Sequence, residues 1–389
     1  MVAHLRPYAS TIFAEMSALA ARIGAVNLGQ GFPDEDGPAE MLAVAQQSIA
    51  AGVNQYPPGP GTPELRQAVA AQRRRHYGIE YDPDTEVLIT VGATEAIASA
   101  VLGLVEPGSE VVVIEPFYDS YSPVIAMAGC RRVTVPLVAD QQGFAIDADR
   151  LRAAITGRTR ALMLNSPHNP TGMVATDAEL RAIAAIAIEH DLLVITDEVY
   201  EQLTFDGHNH RPLAGYPGMA PRTVTISSAA KMFNCTGWKI GWACGPADLI
   251  AGVRAAKQYL TYVGGAPFQP AVAHALDHAD GWVADLREAY RGKRDRLATA
   301  LSDIGFDVHD SFGTYFLCAD PRPLGYDDST TFCAALPERA GVAAIPMSAF
   351  LDPGSPDSAG WNHLVRFAFC KRDDTLNEAI KRLRTLTAG

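Results

Sequence analysis

From about residue 85 to residue 244, short apolar runs rich in β-branched residues alternate with stretches of helical spacing. That alternation is the mark of βαβ units, in which strands lie in a largely parallel sheet and helices cover both faces. Seven strands are expected: Glu86 to Val91, Glu110 to Ile114, Arg132 to Leu137, Arg160 to Leu164, Leu192 to Thr196, Thr223 to Ser227 and Lys239 to Cys244. The fold class is therefore α/β. Helices are predicted over Glu95 to Leu104 and Asp177 to His190, the second opened by Thr176 and Glu179 as a capping box.

Beyond about residue 275 the rhythm changes. A long charged amphipathic stretch, Trp282 to Leu301, precedes short strands around Tyr315, Val342 and Leu364 and a closing helix from Asp374. This predicts a smaller α+β domain. The first forty residues hold one helix-like stretch, Thr11 to Ile23, and a turn-rich Gly29-Gln30-Gly31-Phe32-Pro33. They are too few to fold alone and are expected to pack on the C-terminal part, giving a division at 1–40, 41–275 and 276–389.

With 389 residues the chain buries a sizeable core easily. Lys+Arg 32 against Asp+Glu 44 leaves a formal charge of -12, which repels a phosphate backbone and argues against nucleic-acid binding. Six scattered cysteines without a C-x-x-C pair fit neither a disulfide framework nor a zinc site. His, Arg and Pro within Met1 to Ser10 interrupt any signal-peptide core, and no segment is apolar enough to span a bilayer. The expectation is a cytoplasmic protein acting on small molecules. His274 and His278 are four apart, but the Glu of H-E-x-x-H and a third ligand are missing, so they read as a solvated face and no metal is expected. Neither a dinucleotide fingerprint, a P-loop nor G-x-S-x-G is present.

Four segments carry chemistry. In Ser227-Ser228-Ala229-Ala230-Lys231 a lysine follows a strand, where desolvation can free its amine for imine formation. Asp197-Glu198-Val199-Tyr200 follows another strand, and the carboxyl ends of parallel strands are where such sheets build sites. Asn165-Ser166-Pro167-His168-Asn169-Pro170-Thr171-Gly172 forms a turn that can aim the Asn169 amide inward. Gly92-Ala93-Thr94 lies between strand and helix, suited to bringing helix N–H groups against a phosphate.

Together, N-P-T-G, D-E-V-Y and S-x-x-K followed by Gly237-Trp238-Lys239 resemble the class I, fold-type-I aminotransferases in order and over nearly the whole chain. The resemblance implies pyridoxal 5'-phosphate held as a Schiff base on Lys231, with Lys231 also moving the proton between substrate and cofactor. It implies Asp197 on the pyridine nitrogen, Asn169 and Tyr200 on the ring's phenolic oxygen, and Tyr118 stacked on the ring in preference to Phe117. The phosphate falls to Ala93, Thr94, Ser228 and Lys239, with Tyr56 arriving from a second subunit, so that an obligate homodimer shares its sites. Arg366 clamps the substrate α-carboxylate.

Within that family, Asn27 to Asp34 resembles the glutamine/kynurenine branch, where Gly31 offers a backbone N–H to substrate and Phe13 lines the pocket. In that branch an aromatic and a histidine from the partner close the pocket just before a Pro-x-Gln stretch; here Gly264 and Gly265 precede Pro267-Phe268-Gln269. Their missing bulk widens the expected cavity by on the order of a hundred Å³ and favours a longer, more polar substrate. The chain as a whole is most similar to actinobacterial N-succinyldiaminopimelate aminotransferases. The expected reaction is N-succinyl-LL-2,6-diaminopimelate with 2-oxoglutarate, giving the 6-oxo derivative and glutamate. The alternatives are a glutamine, kynurenine or methionine aminotransferase and a cysteine-S-conjugate β-lyase. A non-enzymatic regulator would need an added helix-turn-helix, and the chain spends almost all its length on the enzyme core that the resemblance implies.

Overall fold

The computed structural model describes residues 1–140, 143–355 and 360–387. All seven expected strands form one sheet: β1 (Val87–Val91), β2 (Glu110–Glu115), β3 (Arg131–Pro136), β4 (Thr159–Asn165), β5 (Leu193–Asp197), β6 (Thr223–Ser228) and β7 (Ile240–Cys244). Their order is β1-β7-β6-β5-β4-β2-β3. The run from β6 to β3 is parallel, while β7 lies antiparallel to both its neighbours. Because β7 reverses twice, β1 points the same way as β6, and the carboxyl ends of all strands but β7 share one edge.

Alternation along each strand explains why the sheet is apolar on both faces. Val111 and Val113 pack with Leu88 and Ile226 in one cluster, while Val112 and Ile114 pack with Leu162 and Val194 in another. Each such side chain, fully buried, contributes about 1.5–3 kcal/mol. The second cluster runs on through Tyr200 and Tyr315 to Phe367 and Leu383 of the C-terminal part. One continuous core therefore backs the site from both sides.

Three helices bear on the site. α1 (Ile12–Ile23) is capped by the Thr11 side chain on the Ala14 N–H and stops at Gly24 with φ 67°. α2 (Gly92–Leu104) starts three residues before the predicted Glu95. Gly92, at φ 72°, turns the chain straight out of β1 into the helix, and the small residues there carry no apolar period to signal it. α3 (Asp177–Glu189) opens with the expected capping box.

The C-terminal part builds a four-stranded antiparallel sheet whose centre is β8 (Phe316–Asp320) beside β9 (Val365–Ala368). The N-terminal segment lies against it. Val26–Asn27 pairs in parallel with Val342–Ala343, and the Ala368 N–H donates to the Leu28 carbonyl at 2.6 Å. That contact carries Gly29 to Phe32 over the edge of the large sheet. No helix among the described residues is long and apolar enough to cross a membrane.

Candidate active site

Strand ends on the shared edge hand polar residues to one cavity of about 360 Å³. β4 ends in Asn165, β5 in Asp197 and β6 in Ser228, and Tyr118 follows β2. The small sheet supplies Phe316 and Arg366, and the N-terminal segment supplies Phe13 and Gly31. Ala93, Thr94, Asn169, Tyr200, Lys231 and Lys239 complete the expected set around the same space.

Lys231 sits on a single helical turn, Ala229–Met232, right after β6. Its Nζ donates to the Gly31 carbonyl at 3.3 Å, and the Tyr315 hydroxyl donates to that same carbonyl at 2.5 Å. Burial pulls the ammonium down to about 8, against the attraction of Cys370 and Asp197. Roughly a tenth of it is then neutral and nucleophilic at pH 7.

Asp197 behaves in the opposite sense. Burial lifts its carboxyl to about 6, although the Tyr121 hydroxyl donates to Oδ2 at 2.7 Å and the Val199 N–H approaches Oδ1 at 3.4 Å. A carboxylate held this way has no cation bonded to it among the described residues and favours a partner that brings a proton or positive charge.

Strand register assembles an anion cradle. Val91 faces Ile240 and Gly241 faces Ser228, so Gly92, Lys239 and Ser228 meet at one corner. A side chain at Gly241 would put its Cβ 2.5 Å from the Gly92 carbonyl carbon, and one at Gly92 would stand 3.0 Å from Lys239 Nζ. Glycine at both positions lets the free N–H groups of α2 and the exposed Lys239 ammonium point into the same space.

Arg366 is 2% exposed, yet among the described residues no carboxylate forms an ion pair with it. Nη1 donates to Asn169 Oδ1 and Nη2 to the Gly29 carbonyl, each at 2.8 Å, while Nε has no partner. The guanidinium is stacked over Phe316 at 3.8 Å and Phe350 at 4.6 Å, with Phe13 at 5.5 Å. Burial lowers it to about 10, which leaves it charged at neutral pH. A buried cation without an anion costs several kcal/mol unless one arrives.

Tyr56 is the one expected residue outside the cavity. It is 82% exposed and its ring meets that of Tyr262, edge to face at 5.5 Å. Gly264 and Gly265 also lie outside it and have local reasons to be glycine: a Cβ would fall 2.7 Å from Val91 and 2.2 Å from Ile240. Phe117 is buried behind Tyr118, with its N–H on the Phe350 carbonyl. His274 is partly buried, 3.4 Å from Glu40, and His278 is exposed. Sequence reasoning missed Tyr121, Tyr315, Phe316 and Asp119; only the i, i+3 spacing of Tyr118 and Tyr121 offered a signal. A second buried group, Glu198, Glu201 and His210, has the ligand types of a metal site. Arg73 already answers both carboxylates, at 2.8 and 2.5 Å, so a cation is built in.

The family model for aminotransferase class I and II matches residues 23–383. The chain is a class I and II aminotransferase. A Mycobacterium tuberculosis protein described as a probable N-succinyldiaminopimelate aminotransferase is 75% identical over 99% of this chain and 98% of its own. The solved structure of N-succinyldiaminopimelate aminotransferase from that organism superposes with a TM-score of 0.97, covering 99% of this chain and 100% of the other at 75% identity. A methionine aminotransferase of Escherichia coli is 38% identical over 97% of this chain and 96% of its own.

Aminotransferases of this class use pyridoxal 5'-phosphate, and the cavity suits it. An anion cradle, an amine near 8 and a carboxyl near 6 meet the three groups such a cofactor presents: phosphate, aldehyde and ring nitrogen. The Asp197 reading can be tested on the cofactor-free aminotransferase. Its folded pKa, about 6, lies above the ordinary 3.8, so the folded state binds more protons between those values and stability falls as pH rises through that window. Asp197→Asn removes this loss. The cofactor-free variant should melt several degrees above the parent at pH 7.5 and level with it near pH 4, a comparison calorimetry makes directly.

Proposed function

We propose that this aminotransferase exchanges the amino group of N-succinyl-LL-2,6-diaminopimelate with 2-oxoglutarate, as a cytoplasmic homodimer with shared sites. The observation that carries the chemistry is Arg366, a buried cation with no ion pair among the described residues that faces the same cavity as Lys231 and Asp197. Every amino-acid and 2-oxo-acid substrate brings one carboxylate beside the reacting carbon. Two hydrogen bonds to Asn169 and Gly29 fix the guanidinium plane in advance, so that carboxylate is oriented on arrival.

Bound pyridoxal 5'-phosphate supplies an aldehyde to receive the amino group and a ring able to accept the electron pair left at the substrate Cα. The residues do the rest. Lys231 gives up and takes back a proton at Nζ, for which a pKa near 8 keeps both states accessible. Asp197 holds the proton on the ring nitrogen, and Tyr121 keeps the carboxylate aimed. Arg366 already occupies the Asn169 carbonyl oxygen, which leaves the amide N–H groups, with the Tyr200 hydroxyl, to donate to the phenolic oxygen. Tyr118 would stack on the ring, Ala93, Thr94, Ser228 and Lys239 would hold the phosphate, and Gly31 and Phe13 would border the substrate.

Likeness to the mycobacterial protein over the full chain supports the substrate. Tyr56 supports the dimer. It is exposed beside Tyr259, Leu260 and Tyr262, an apolar surface of the kind a second copy covers. Six free cysteines are in keeping with a reducing compartment. A single-turnover spectrum separates the alternatives. N-succinyl-LL-2,6-diaminopimelate and glutamate should convert the bound aldehyde to the amine at least about tenfold faster than kynurenine, glutamine or methionine. Reversal of that order would favour the branch of the methionine enzyme, and release of pyruvate and ammonia from a cysteine conjugate would mark β-elimination.

A further inference from the structure

The helix Ala247–Lys257 ends on a lysine that is 2% exposed and has no carboxylate paired with it among the described residues. Its Nζ donates to two backbone carbonyls, Gly59 at 2.8 Å and Tyr262 at 2.5 Å. Gln269, 1% exposed, repeats the link beside it: Oε1 accepts from the Thr62 N–H and Nε2 donates to the Gly264 carbonyl, both at 2.8 Å. Two buried side chains thus join the same two loops, one bearing Tyr56 and the other bearing Tyr262, whose exposed rings touch.

The joined loops are also tied to the anion cradle. The Pro60 carbonyl accepts from the Ile89 N–H of β1, and Glu95 on α2 accepts from the Val91 N–H at 2.6 Å and from the Thr261 hydroxyl. Burying a lysine is unfavourable, and burial lowers this one's pKa. A buried ammonium whose bonds all go to loop carbonyls is explained when the loops must hold one geometry that their own exposed, apolar tips do not enforce.

We propose that Lys257 and Gln269 are positioning residues for Tyr56, fixing its loop so that its hydroxyl reaches the cofactor phosphate in the second subunit. The inference rests on the shared-site homodimer proposed above. Loops left unstitched fluctuate, and each encounter with the phosphate must then order them again, which weakens cofactor binding without altering any group in the cavity.

The test is a double-mutant cycle read by titrating cofactor-free protein with pyridoxal 5'-phosphate and following tryptophan fluorescence, with sedimentation velocity on every sample. Tyr56→Phe and Lys257→Met should each weaken cofactor binding by about tenfold, and the double variant by no more than either alone. A fully additive loss of about a hundredfold, or wild-type affinity in K257M within a Y56F-sensitive dimer, overturns the positioning role while leaving the dimer intact. If K257M does not fold, Gln269→Met is read in the same way. A monomeric wild-type protein that binds the cofactor tightly, with Y56F silent, overturns the dimer reading and this inference with it.

Discussion

Lys231→Ala should lower turnover by at least about 10⁴-fold with every amino donor, because covalent attachment and proton transfer disappear together. Lys231→Arg should do the same. It keeps the positive charge and nearly the length, but a guanidinium stays protonated at any working pH and can neither attack an aldehyde nor accept the Cα proton. Loss on both substitutions separates proton chemistry from charge; near-normal turnover in either variant would remove the basis for placing the reaction at this residue. The pKa adds a second measurement. Attachment of the cofactor to the wild-type chain, followed by its visible absorbance, should quicken as pH rises to about 8 and then level, since only the neutral amine attacks.

Arg366→Met should reduce kcat/KM by about 10²–10³-fold for amino acids and 2-oxo acids alike, the loss expected when one partner of a desolvated charge pair is missing. The effect belongs to the carboxylate shared by all substrates, so the ratio between substrates should hardly move. Stability should respond the other way. Arg366 is buried with one guanidinium nitrogen unpartnered and no ion-paired carboxylate among the described residues, so the substrate-free variant should melt no lower than the parent. A variant that unfolds more easily yet keeps its kcat/KM would mean that the guanidinium is there for packing against Phe316 and Phe350 rather than for substrate.

Local chemistry made much of this site readable. Lys231, Asp197 and Asn169 each follow a strand that its own residues announce, and a parallel sheet brings such ends to one edge whatever the connections between them. Arg366 was legible through its motif, although nothing in Leu364-Val365-Arg366-Phe367 tells that three phenylalanines from distant segments enclose it. Tyr121 was not legible. Its hydroxyl reaches Asp197 across 76 residues, and a tyrosine on an apolar helix face looks the same whether it is packed or bonded. Gly264 and Gly265 show in the sequence only the bulk they lack; the fold adds the close approach of the Val91 and Ile240 side chains, which a Cβ would have to displace.

The sequence by itself determined the seven strands, their mostly parallel arrangement and the residue types at their ends, because apolar periodicity and turn residues act over a few positions. Only the tertiary structure decided the antiparallel insertion of β7 that sets Lys239 and Ser228 beside Gly92, the burial that moves Lys231 and Asp197 toward each other in pKa, and the lack of an ion pair to Arg366 among the described residues. Desolvation and charge pairing depend on every atom within several ångströms, and those atoms come from segments up to several hundred residues apart.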